Sequence, residues 1–128
     1  MPTANLNRKS IEVNDGLDSI VIVKDLGDIP GGRSLDVSGV AADVEYLRAG
    51  HILVKNDTTK AVSPLGVNEG AYVALPSGHS YLGVLKASIA VKDARAAILT
   101  MGQVNAAASP YPVTDAIKKG LPNIQFLY

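Results

Sequence analysis

The chain has 128 residues, 47% of them apolar, and its 12 basic and 12 acidic residues cancel to no net charge. That length suits one domain, or a small domain with an extension, and scattered Lys and Arg at zero net charge lack the basic footprint of a nucleic-acid binder. Cys is absent, which excludes disulfides, thiolate catalysis and Cys-ligated zinc.

With one Phe and no Trp, the core must be assembled from Ala, Val, Leu and Ile. Such a core gains about 25 cal/mol per Å² buried and buries modest area per residue, so association with copies of itself or with a partner is expected. No segment approaches the roughly 20 apolar residues of a membrane span, and no membrane partner is expected. Residues 1–9 lack the charged region and apolar run of a signal peptide, which predicts a chain not secreted by that route.

Residues 1–45 read as an extended N-terminal arm with short strands. Ser10-Ile11-Glu12-Val13 alternates strictly, and Ile20-Val21-Ile22-Val23 is a continuous β-branched run. Asn14-Asp15-Gly16, Gly27-Asp28 and Ile29-Pro30-Gly31-Gly32 read as turns or breakers. A continuous β-branched run wants cover on both faces, and the arm has too few other apolar residues to supply it. It is therefore expected to pack on the C-terminal domain or on another chain. Residues 1–9 are equally readable as a frayed terminus.

Residues 46–128 read as a denser β domain. His51 to Lys55 is a predicted strand, Asn56 to Thr59 a turn, and Lys60 to Ser63 the returning strand of a hairpin. Ala71 to Leu75, Tyr81 to Ala87 and Ala94 to Val104 are further predicted strands. The alanines of the last would suit a helix, but Thr100, Gly102 and Val104 continue an alternation that favours a strand. One short helix is predicted after Thr114, an N-cap, with Asp115 in its first turn and Lys118 and Lys119 in its last. Gly120 is expected in the left-handed position, with Pro122 preventing continuation, and Asn123 to Tyr128 alternates as a closing strand. The expected fold is mostly β: a small β-barrel or sandwich-like domain with one short C-terminal helix.

Candidate chemistry is sparse. His51 alternates with Ile52 and Val54 and reads as edge-facing; His79 lies in a turn. Neither has a carboxylate at metal-ligand spacing. A Ser77, His79 and Asp93 triad lacks the Gly-x-Ser-x-Gly elbow. Asp15/Asp18 and Asp25/Asp28 read as backbone-capping residues of turns, and Asp43/Glu45 as a solvated edge. No calcium loop or phosphate cradle is present. Tyr46, Tyr72, Tyr81, Tyr111 and Tyr128 read as half-buried sheet residues rather than a stacking surface for sugar or single strands, since no basic residues interleave with them. The expectation is a protein without enzymatic activity, cofactor or metal.

From Tyr46 onward, Tyr-Leu-Arg-Ala-Gly-His-Ile-Leu-Val resembles the Arg-Ala-Gly-x-x-Leu/Val opening of the head decoration proteins of lambda-like phages. The hairpin from Lys55 to Val62, Gly83-Val84-Leu85, the strand ending in Gly102-Gln103-Val104-Asn105-Ala106-Ala107, and the stretch from Val113 to Phe126 follow in the same order as in that family. Gly32 to Val37 and Ala74-Leu75-Pro76 also resemble head-fibre-like proteins of phages infecting gut bacteria. The resemblance implies a small β-barrel-like auxiliary capsid protein, typically trimeric, on the outer surface of the head. Such a protein would be made in the host cytoplasm and would clamp neighbouring major capsid subunits. In that family the N-terminal arm orders on the shell; here the arm is longer and more strand-like. The residues expected at the shell are Leu6, Arg8, Ile11, Val13, Ile20 and Ile22. The alternative is a head fibre or adhesive module binding host-surface glycans through the tyrosines.

Overall fold

Three short apolar stretches, Ile52-Leu53-Val54, Val84-Leu85 and Ile98-Leu99, are buried at every residue. Successive residues of a strand point to opposite faces, so the sheet that carries these runs must be covered on both sides. A computed structural model that describes residues 21–40 and 43–128 has this arrangement.

The main sheet is built on β9 (Arg95–Asn105), which is flanked along one edge by the long β1 (Ile22–Ser34) in antiparallel pairing. The other edge of β9 is shared. Its first half pairs antiparallel with β7 (His79–Leu85), and its second half pairs parallel with β10 (Ile124–Leu127). Beyond β7 come β3 (Ile52–Asn56) and β4 (Val62–Pro64), giving the order β1-β9-β7-β3-β4 with β10 attached to β9. Two short ribbons lie apart: β2 (Tyr46–Leu47) with β8 (Ile89–Ala90), and β5 (Val67–Asn68) with β6 (Ala71–Tyr72).

One face of the sheet presents Ile52, Val54, Val84, Leu99 and Val104 to Leu65, Tyr72, Ile124 and the helix α1 (Asp115–Gly120), whose buried Ile117 points inward. The other face presents Leu53, Leu85, Ala96 and Ile98 to Leu35, Leu47 and Val62. The mostly-β expectation with a short C-terminal helix is thus met. The sheet does not close into a barrel. A single parallel bridge between Leu35 and Val62, with Asp36 N–H donating to the Val62 carbonyl at 2.7 Å, links the chain after β1 to the far strand β4.

Three local readings change. The glycine- and proline-rich stretch from Gly27 to Gly32 does not end a strand; it lies inside β1. Register shifts fall at Asp25/Gly27, Gly27/Asp28 and Ile29/Arg33, so these residues accommodate bulges that let one strand follow the twisted length of β9. The strand expected over Ala71 to Leu75 shortens to two residues. It returns from β5 through Glu69 and Gly70, whose φ values of 53° and 78° are those of a tight hairpin turn. Gly120 is the last helical residue and not a left-handed cap. A Cβ there would overlap the Tyr81 ring, so close packing of α1 on β7 accounts for the glycine.

The remaining strands stand close to where the alternation put them. The turn between β3 and β4 is held by Asn56 Oδ1, which accepts from Thr58 and Thr59 N–H at 2.9 and 3.0 Å. Thr114 Oγ1 caps α1 by accepting from Ile117 N–H at 3.3 Å. The arm strand expected over Ser10 to Val13 lies outside the described residues.

Candidate binding cleft

The Arg48-Ala49-Gly50 segment turns the chain from β2 into β3. His51 N–H donates to the Arg48 carbonyl at 3.2 Å, and the buried Ala49 N–H donates to Ser88 Oγ at 3.0 Å. Gly50 takes φ of 96°, and a Cβ would stand 2.7 Å from Val21 and 3.1 Å from Pro110. Both the backbone conformation and the space demand glycine. This turn swings His51 inward. The expectation of an edge-facing imidazole is corrected: His51 is 6% exposed, and its Nε2 lies 2.9 Å from the Leu65 carbonyl oxygen.

A carbonyl only accepts, so Nε2 carries the proton and Nδ1 is left as an acceptor. Burial pushes the pKa of His51 down, and the Leu65 carbonyl offsets part of that push. The ring sits edge-on to Tyr72 at 5.4 Å and to Tyr111 at 5.8 Å, and the two tyrosines are themselves edge-to-face at 5.4 Å. Tyr72 Oη accepts from Ile52 N–H at 3.2 Å, and burial raises its phenol pKa. Tyr111 reaches the cluster from the loop after a 3₁₀ turn (Ala106–Ala108). Asn105 Oδ1 caps that turn by accepting from Ala107 and Ala108 N–H.

Above this cluster opens a cleft of about 350 Å³. The stretch from Pro64 to Val67 forms one wall, Tyr46, Leu47 and Arg48 another, and Val40, Val44, Pro110 and Tyr111 complete it. A smaller hollow of about 230 Å³ continues it past Val40 and Pro64 toward Asp36 and Ser38. Ser38 holds Asp36 below the usual carboxylate range, and Ser38 N–H donates to Asp36 Oδ1 at 3.0 Å. Tyr46, Leu47 and Arg48 thus build one side of this cleft, and His51 lies at its floor.

The other candidates do not assemble. His79 Nδ1 donates to the Ser77 carbonyl at 3.1 Å, and Asp93 Oδ1 accepts from Arg95 Nε at 3.2 Å, so Ser77, His79 and Asp93 form no hydrogen-bonded relay. Among the described residues no three His, Asp or Glu side chains are placed to hold a metal ion. No described helix is long and apolar enough to cross a membrane. Asp25 and Asp28, read as turn caps, instead converge on Lys86 Nζ from neighbouring positions of β1. The Asp28 hydrogen bond and the Lys86 ammonium together hold Asp25 below its ordinary pKa, and the two aspartates raise that of Lys86.

Of the expected shell contacts, Leu6, Arg8, Ile11, Val13 and Ile20 lie outside the described residues. Ile22 opens β1 opposite Val104 and packs half-buried against the first core group. The tyrosines divide: Tyr72 is buried, Tyr46 and Tyr111 line the cleft, and Tyr128 is 89% exposed. The cleft itself was hidden in the sequence because its parts come from four separate stretches. No family model, curated protein or solved structure matches the chain.

Proposed function

We propose that this chain is an auxiliary capsid protein of a tailed phage, which binds the outer surface of the head as a homo-oligomer and stabilises contacts between major capsid subunits. The ordered likeness of residues 46–128 to head decoration proteins motivates the reading, and strand β1 supplies its physical route. Among the described residues β1 is the outermost strand of the main sheet on its side. It exposes Val23 and Leu26 at 45% and 58%, and Met101 beside it on β9 at 43%. The unpaired backbone of a strand at a sheet edge is a template for pairing with another chain's strand. Pro30, which has no N–H to offer, confines that template to the part of β1 before it.

Many copies each contributing a modest contact give a large total hold on a shell. The alternative of a glycan-binding fibre module loses ground, because the five tyrosines do not share one surface. Leu26→Lys tests the capsid reading at an exposed position where the fold should survive. The variant is expected to keep its circular dichroism spectrum and unfolding midpoint but to lose co-sedimentation with heads. Deleting residues 1–13 should likewise leave a folded domain that no longer coats heads. Undiminished coating by both proteins would count against strand addition.

A further inference from the structure

We infer that the capsid strand which pairs with β1 carries an acidic residue against Lys24, with apolar residues on either side of it. The inference rests on the strand addition proposed above and names the chemistry of the partner. A Lys on a sheet edge ordinarily keeps other strands away, because a strand laid beside it must desolvate the ammonium. A strand that does pair there has to bring the opposite charge. The charges on β1 therefore decide which strands it accepts.

Those charges divide between the two faces of the sheet. Lys24 stands opposite Gln103 and Asp25 opposite Gly102, with no register shift between these two pairs. Neighbouring strand residues point to opposite faces, and residues paired across an antiparallel ladder share one. Asp25 shares Lys86 Nζ with Asp28, so the nearest acid is engaged on the face away from Lys24. On the Lys24 face, Gln103 Nε2 donates to Gln125 Oε1 at 2.9 Å, and these two amides engage one another. Among the described residues no carboxylate pairs with Lys24. Val23 and Leu26 lie on either side of it along β1, both exposed. An edge that reads apolar, cationic, apolar is complemented by a strand that reads apolar, acidic, apolar.

The test is co-sedimentation of the full chain with phage heads that lack it, at low and at high ionic strength. The unaltered chain is compared with Lys24→Met, Lys24→Glu and Leu26→Lys. Lys24 is exposed, so its variants should keep the circular dichroism spectrum of the unaltered chain. Binding by the unaltered chain is expected to weaken as salt screens the pair, and Lys24→Met should bind less at low salt and lose that dependence. Lys24→Glu sets like charges together and should bind about tenfold more weakly at low salt, with part of the loss regained at high salt. Undiminished binding by Lys24→Glu, or a loss that salt does not relieve, would overturn the acidic partner; if Leu26→Lys is still deficient, strand addition stands without it. Undiminished binding by all three variants, or none by the unaltered chain, would remove strand addition and this inference with it.

Discussion

At residue scale, the most informative positions are those where local preference and tertiary packing disagree. Gly120 ends α1 in helical conformation, where alanine is ordinarily better by about 1 kcal/mol. A Cβ there meets the Tyr81 ring, and overpacking of this kind costs roughly 1–3 kcal/mol. Gly120→Ala is therefore expected to lower the denaturation midpoint, and a raised midpoint would show that the ring yields freely. His51 makes a second test through pH. Its folded-state pKa lies below the ordinary 6.5, so the unfolded chain takes up the proton first. The stability this residue contributes is complete above about pH 6.5 and drains away as the pH falls through the depressed value. Between about pH 7.5 and about pH 5 the melting temperature of the unaltered chain should fall, and that of His51→Phe should change less. Asp25, whose pKa is lowered, acts in a separate and more acidic window, below its ordinary 3.8. The inward position of His51 was not legible from alternation with Ile52 and Val54, because the Gly50 turn resets which way the chain faces before β3 begins.

At the scale of elements, most strands could be read directly. The runs at Ile52, Val84 and Ile98 are β-branched or leucine-rich and short, and each became a strand buried on both faces. The alanines before Ile98 stayed in β9 because strands on both its edges pair with it, and no helix could satisfy those partners. Glycine and proline between Gly27 and Gly32 carry the same local signal whether a chain turns or bulges, and only the presence of β9 alongside decides between them. The Asp25, Asp28 and Lys86 group was equally invisible, since β9 lies between the elements that supply the cation and the acids. Lys86 ties β1 across the sheet, so Lys86→Met leaves two carboxylates side by side without their cation. Amide exchange in β1 is expected to quicken while β3 stays protected, and the effect should be larger at low ionic strength. Equal protection in both proteins would mean that β1 is held by its backbone ladder alone.

For the whole molecule, the two-faced sheet explains how a chain with one Phe and no Trp still fills a core. Small aliphatic side chains pack in two thin layers, one under α1 and the other under Leu35, Leu47 and Val62. The residues before position 45 take part in this from Val21 to Leu35, so the arm from β1 onward is joined to the domain it precedes. Among the described residues, that arrangement leaves β1 as the outermost strand of the main sheet on its side. In the proposed function β1 meets the shell of a phage head. A cryo-EM map of phage heads assembled with this chain is the deciding measurement. Density for the domain on the outer surface, with β1 laid against a strand of a major capsid subunit, is the predicted result. A particle without this density, or a domain seated with β1 facing solvent, would contradict it.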